Sequence, residues 1–200
     1  MYKRQAHGSL VIEDDFENEF VYLQKPTPSL FGLAGGQNVV YLGTFSRLLL
    51  PSIRISFMVL PPELSALYRK KADQYNQTAS KAEQIALCQF IRDGHLAAQT
   101  RKLKRLYSVK LKALRSAVRE VFGKDSQIQT GAAGTSLALT LSTTLTWQEL
   151  QKKAQTNGLR LQLLREAPGK ITLILSCSSM PVADFIPACK LLKDISQIQN

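Results

Sequence analysis

The stretch NVVYLGTFSRLLLPSIRISFM, residues 38–58, constrains this chain more than any other. Val39, Val40, Tyr41 and Leu42 form an apolar run that stops at Gly43. Ile53, Ile55, Phe57 and Val59 then alternate with Arg54, Ser56 and Met58 before Leu60 and Pro61. An apolar run, a polar interval and an alternating run predict strand, turn, strand. The interval and the start of the second run hold Thr44, Ser46, Arg47 and Arg54. Hydroxyls donate single hydrogen bonds and a guanidinium grips two oxygens at once, so this set suits a phosphate at the mouth of a sheet. On composition alone it suits a solvated polar turn between two buried strands better.

Upstream, Ser9 to Ile12 reads as a short strand that runs into Glu13, Asp14, Asp15, Phe16, Glu17, Asn18 and Glu19. Carboxylates at the C-terminal end of a buried strand suit a binding site, or a solvated acidic loop. Lys25 to Gly36 is rich in proline and glycine and predicts a loop. Pro61 and Pro62 predict a helix start, with Leu64, Leu67, Tyr68 and Ala72 on one buried face. A second helix is expected over 79–93, capped by Gly94, with Cys88 as packing.

The longest helical pattern is His95 to Phe122. Leu103, Leu106, Tyr107, Leu111, Leu114, Val118 and Val121 make an apolar stripe; Arg101, Lys102, Lys104, Arg105, Lys110, Lys112, Arg115 and Arg119 cover the rest. Such a helix can track a nucleic-acid backbone or simply solvate an exposed face. Beyond Ser126 the pattern is a small α/β unit. Strands are expected at 137–141, 159–164 and 171–175, with a capping-box helix from Thr146 and a last helix over 181–195.

The order of residues around Gly43 resembles the cofactor-lysine segment of fold-type I pyridoxal-phosphate enzymes. In particular it resembles the aminotransferase-like domain of MocR/GabR-type transcription regulators, of the GntR superfamily. That family carries G-T-F-S-K, a Pro, then an R-I-S/G-aromatic strand. Here the stretch is Gly43-Thr44-Phe45-Ser46-Arg47, Pro51 and Arg54-Ile55-Ser56-Phe57. Glu13-Asp14-Asp15-Phe16 with Glu19-Phe20 matches the family's E-D-D-Y-x-x-E-F.

The resemblance implies the C-terminal half of a fold-type I aminotransferase: part of the large α/β domain, with a mixed sheet, plus a small C-terminal α/β domain. The expected division is 6–115 and 116–200, joined by the long helix 95–122. It implies pyridoxal 5'-phosphate as cofactor, held without a covalent bond or lost. Asp14 takes the place of the aspartate that pairs with the pyridine nitrogen. Thr44, Ser46, Arg47 and Arg54 take the places around the phosphate and the Schiff-base lysine.

Four positions depart from the pattern. Arg47 stands where the family has its lysine. A lysine amine can lose a proton and form an imine, whereas guanidinium stays protonated and is no nucleophile near neutral pH. Phe16 replaces a tyrosine that hydrogen-bonds the cofactor ring. Ser136 replaces a histidine. Ser179 replaces the arginine that clamps a substrate carboxylate. The expectation is an inactive, effector-binding or cofactor-binding domain of a regulator. The alternatives are a fragment of an active class I/II aminotransferase and a basic α/β protein that binds nucleic acid or another anion.

A homodimer, an amino-acid-like effector and DNA contact through an upstream winged-helix domain follow from the resemblance only. Met1 to Gln5 have no structural pattern, as expected of an expression scar or of a truncated reading frame, and stand outside the fold argument. Unpaired strand edges then predict poor solubility. Net charge is +11, an invitation to polyanions but no proof of one. Cys88, Cys177 and Cys189 lack metal-ligand spacing, which fits reduced thiols and a cytoplasmic setting without a metal. No apolar run is long enough to span a membrane.

Overall fold

The structure is a computed structural model that describes residues 9–15, 28–46, 48–49, 52–76, 78–123, 126–130 and 134–196. Two compact units divide it, the first running through Leu103 and the second from Lys104.

The first unit is built on a three-stranded sheet. Strand β1 (Val11–Asp14) pairs in parallel with β2 (Val39–Thr44), which pairs antiparallel with β3 (Ser56–Val59). The mixed sheet is as expected, with shifted ends. Glu13 and Asp14 lie within β1, and Ile53 to Ile55 form an irregular approach to β3. Between β1 and β2 sits a four-residue helix α1 (Leu30–Leu33), where sequence predicted only loop. Ser29 caps it by accepting a hydrogen bond from the Gly32 amide at 3.0 Å.

Helix α2 (Pro62–Lys71) starts at the expected proline pair, and α3 (Lys81–Arg92) is capped by Ser80 and followed by Gly94 at φ 76°. Their apolar faces are less covered than the spacing implied. Leu67 is 51% exposed, Tyr68 46% and Ile85 61%; of the α3 side chains only Leu87 is buried. Cys88 is exposed and accepts a hydrogen bond from the Arg92 guanidinium, so it is not the packing residue predicted. Amphipathic spacing marks a face for covering, and in these two helices the described residues leave most of that face exposed.

Helix α4 (His95–Phe122) has the predicted bounds. From Lys104 onward it belongs to the second unit, where Leu111, Leu114, Ala117 and Val118 enter the core. That unit has an antiparallel sheet in the order β4 (Gln127–Thr130), β5 (Ser136–Ser142), β7 (Lys170–Ser176), β6 (Gln162–Ala167). Alternate residues Leu137, Leu139 and Leu141 of β5 and Ile171 and Leu173 of β7 face α4, α5 (Trp147–Thr156) and α6 (Phe185–Ser196). Leu150, Phe185, Cys189 and Leu192 complete the cluster. Strand β4 was missed because QIQT offers one apolar residue. Strand β6 begins three residues later than predicted, because the Pro168-Gly169 turn sets its pairing from Ala167 opposite Lys170.

The buried Thr143 hydroxyl is satisfied on both sides, whereas the buried Ser126 hydroxyl has no partner among the described residues. Thr143 Oγ1 donates to the Ser196 carbonyl at 2.6 Å and accepts from the Leu145 amide at 3.1 Å. Lys193 Nζ donates to the Val121 carbonyl at 3.0 Å, closing the C-terminal end of α4 with a cation. The capping box of α5 is complete. Glu149 accepts from the Thr146 amide, and that bond, followed by the one from the Thr146 hydroxyl, holds its carboxyl below the ordinary 4.5.

Two expectations follow. A carboxylate with a lowered folded pKa stabilises above its unfolded value and loses that contribution as pH falls through the folded value. The stability difference between the parent chain and Glu149→Gln, measured by denaturant unfolding, is therefore present at neutral pH. It fades once acid takes the pH below 4.5 and through the lowered folded value. Burial pushes the Cys177 thiol up and the Cys189 thiol to about 11. In a thiol-reagent assay of the native chain only Cys88 reacts quickly, and the other two react on unfolding.

Candidate functional site

Parallel pairing aligns the C-terminal ends of β1 and β2, the end at which open α/β sheets present ligand groups. Asp14 lies opposite Leu42, and the Asp15 amide donates to the Leu42 carbonyl at 3.0 Å. Successive strand residues face opposite ways, which divides the three carboxylates. Glu13 accepts from the Leu30 amide at 2.7 Å and the Phe31 amide at 3.0 Å, fixing the first turn of α1. Asp15 accepts from the Tyr41 hydroxyl at 2.9 Å. Asp14 is exposed, and its side chain has no hydrogen-bond partner among the described residues. Two of the three acids thus build the strand end, and Asp14 remains open to a ligand. Phe16 lies outside the described residues.

The loop after β2 closes on itself. Thr44 Oγ1 donates to the Ile55 carbonyl at 3.4 Å and accepts from the Ser46 amide at 3.2 Å. Ser46 Oγ donates to the Ile53 carbonyl at 2.6 Å. The Phe45 amide donates to the Ile55 carbonyl at 3.1 Å. Leu48, 1% exposed, anchors the loop below. Both hydroxyl protons are thus engaged with backbone carbonyls, and a phosphate would have to take them from those acceptors. Arg54 is exposed between half-buried Ile53 and buried Ile55. Arg47, between Ser46 and Leu48, lies outside the described residues.

Gly43 has a packing reason. The Phe57 ring lies over its Cα, where a Cβ would collide with ring carbons. Phe57 also meets Phe45 at 5.2 Å and Tyr41 at 6.2 Å between ring centroids. This aromatic group holds the strand pair beneath the loop.

In the second unit, Ser136 opens β5 half-buried and Ser179 is exposed in the turn after β7. Ser176 and Ser178 hydroxyls share a hydrogen bond at 2.8 Å, and the Cys177 amide donates to the Thr135 carbonyl at 3.0 Å. Lys110 Nζ donates to the Ser178 carbonyl at 2.9 Å. Sequence reading placed Lys110 among the solvated cations of α4. Its role beside the serine turn became visible only through a contact far along the chain. A cavity of about 500 Å³ lies behind this turn, with Leu161, Ile174, Met180 and Phe185 in its walls and Ser176 and Ser179 at its edge. Among the described residues no cluster of His, Cys, Asp and Glu could hold a metal.

Residue 47, which the resemblance sets against the family lysine, is an arginine, and a guanidinium forms no imine near neutral pH. What fits is weaker: an exposed carboxylate at Asp14, an exposed cation at Arg54 and a loop whose hydroxyls are already bonded.

A mixed sheet with this loop at its carboxyl end, followed by an α/β unit entered through a long helix, defines a fold-type I aminotransferase-like scaffold. The solved structure of LysN, an alpha-aminoadipate aminotransferase from Thermus thermophilus complexed with N-(5'-phosphopyridoxyl)-L-leucine, has the same fold. Its TM-score is 0.77 at 24% identity, over 98% of this chain and 52% of that one. Among curated proteins, the uncharacterized HTH-type transcriptional regulator YdeL of Bacillus subtilis is 32% identical over 189 residues, covering 92% of this chain and 41% of the relative. The probable rhizopine catabolism regulatory protein MocR of Rhizobium meliloti is 30% identical over 160 residues, 80% of this chain and 32% of the relative. No protein-family model matches the chain. The chain belongs to the aminotransferase-like domains of MocR-type regulators. It spans less than half the length of these relatives.

The aromatic lid over Gly43 gives a test. Gly43→Ala is expected to destabilise the chain by about 1–3 kcal/mol through overpacking. Phe57→Ala in the same chain removes the clash, so the two effects are less than additive in a denaturant double-mutant cycle. Full additivity would show that the ring does not press on Gly43.

Proposed function

We propose that this chain is the ligand-sensing part of a transcription regulator whose aminotransferase-like scaffold has lost transaminase chemistry. The observation that carries the reading is Arg47, in an otherwise matching Gly43-Thr44-Phe45-Ser46 segment. A packed second core and the bonded hydroxyls of Thr44 and Ser46 support retained architecture. Ser179 in place of a carboxylate-clamping arginine supports lost substrate grip, because one hydroxyl does not replace a charged fork.

In this reading the ligand is a small, anionic, amino-acid-like molecule, with or without pyridoxal phosphate, held without a covalent bond. Asp14 offers a carboxylate to a protonated nitrogen, and Arg54 and Arg47 offer cations to an anionic group. Pyridoxal phosphate, when bound to an enzyme of this fold, supplies an electron sink; this chain offers it no amine at the aligned position. The protein acts in the cytoplasm as a homodimer and contacts DNA through a winged-helix domain upstream. The name of YdeL, an HTH-type transcriptional regulator, supports the DNA contact in that assignment.

The test is labelling with pyridoxal phosphate followed by borohydride reduction and peptide mapping. The parent chain is expected to show only scattered, non-saturating label on surface lysines. Arg47→Lys is expected to gain saturable label at residue 47. Stoichiometric label on a single native lysine of the parent chain would restore the active-aminotransferase reading and overturn this one.

A further inference from the structure

Helix α4 carries a feature that neither the scaffold nor the ligand site uses. Arg105, Ser108, Lys112, Arg115 and Arg119 follow one another at steps of three and four, which stacks them along one face of an α-helix. All lie within the second unit. The buried side chains Leu111, Leu114, Ala117 and Val118 occupy a different face, turned into the core. The four cations are exposed, and their side chains have no hydrogen bond or ion pair among the described residues. From His95 to Phe122 the only acidic residue is Glu120.

Unpaired like charges at three- and four-residue spacing repel one another and lower the stability of a helix. An anionic partner relieves that cost. At 1.5 Å per residue the ridge from Arg105 to Arg119 is about 21 Å long. One strand of duplex DNA advances 3.4 Å per phosphate along the axis, so the ridge spans about six phosphates. A lipid surface is a poorer match. An interfacial helix must turn its apolar face outward, and the main apolar face of α4 is sealed in the core of its own unit.

We propose that the exposed ridge Arg105–Lys112–Arg115–Arg119 is a sequence-independent contact for the phosphate backbone of duplex DNA. It goes beyond the regulator reading, which assigns DNA to a separate upstream domain, and it does not depend on which ligand the sensing site takes. With two contacts on one chain, a weak ridge adds to binding through effective concentration. It supplies no base readout, since backbone contacts position a protein without reading sequence.

The experiment is fluorescence anisotropy of the full 200-residue chain with a labelled duplex of arbitrary sequence, from 50 to 300 mM salt. The parent is compared with the quadruple variant Arg105→Gln, Lys112→Gln, Arg115→Gln, Arg119→Gln. A control removes four exposed cations elsewhere, Lys70→Gln, Lys71→Gln, Lys81→Gln and Arg92→Gln, so both variants fall from +11 by four to +7. The ridge variant is expected to bind at least about tenfold more weakly at 100 mM salt, its salt slope reduced by about 3 to 4, while the control keeps the parent slope.

Circular dichroism confirms that α4 stays helical in each variant. No salt-dependent binding by the parent, or equal losses in both variants, overturns the proposal. So does ridge-dependent binding to phosphatidylglycerol vesicles without binding to duplex. None of these outcomes bears on labelling at residue 47, so the two readings fail separately.

Discussion

Parallel strands cannot be joined by a tight turn, so β1 and β2 need a crossover between Asp14 and Val39. What that pairing yields is two strand ends side by side, with Asp14 on one and the Thr44–Ser46 loop following the other. Both arms are secured by groups that no ligand needs. Glu13 ties the first turn of the crossover helix, and Asp15 holds the Tyr41 hydroxyl. Buried Val39 and Val40 fix β2, while Leu48 fixes the loop beyond it. The site is an edge between elements that would pack in this way without it.

This explains how much of the molecule was legible beforehand. Helix α4 was readable to its ends, since 28 residues of apolar stripe against basic residues leave no other period. The capping box at Thr146 was equally plain, being a local motif with a local partner. Strand β4 was not, because QIQT borrows its order from pairing with β5 rather than from its own side chains. Helix α1 was hidden for a similar reason: the carboxylate that fixes its first turn is Glu13, seventeen residues upstream of Leu30.

The candidate site divides along the same line. Asp14, Thr44, Ser46 and Arg54 were found by order of residue types, and the structure gathers the first three at one end of the sheet. What the sequence could not carry is where the hydroxyl protons point. Thr44 and Ser46 look like phosphate donors in a one-letter string, yet both serve backbone carbonyls that lie eleven and seven positions further along the chain. Lys110 shows the converse: charge patterning placed it on a solvated face, and a contact 68 positions away placed it against the Ser178 carbonyl.

Under the proposed reading, loss of chemistry with retention of fold has a simple physical basis. A nucleophilic lysine at the end of a loop needs a tuned proton affinity, which the packing of its neighbours does not require. The Phe57 ring over Gly43, the Leu48 anchor and the carbonyls of Ile53 and Ile55 hold the described residues of the loop. In that reading a guanidinium at position 47 gives up the imine, and the contacts seen among the described loop residues are those of Thr44, Phe45, Ser46 and Leu48. On that reading fold and function are separable, because their determinants would reside in different atoms of the same short loop.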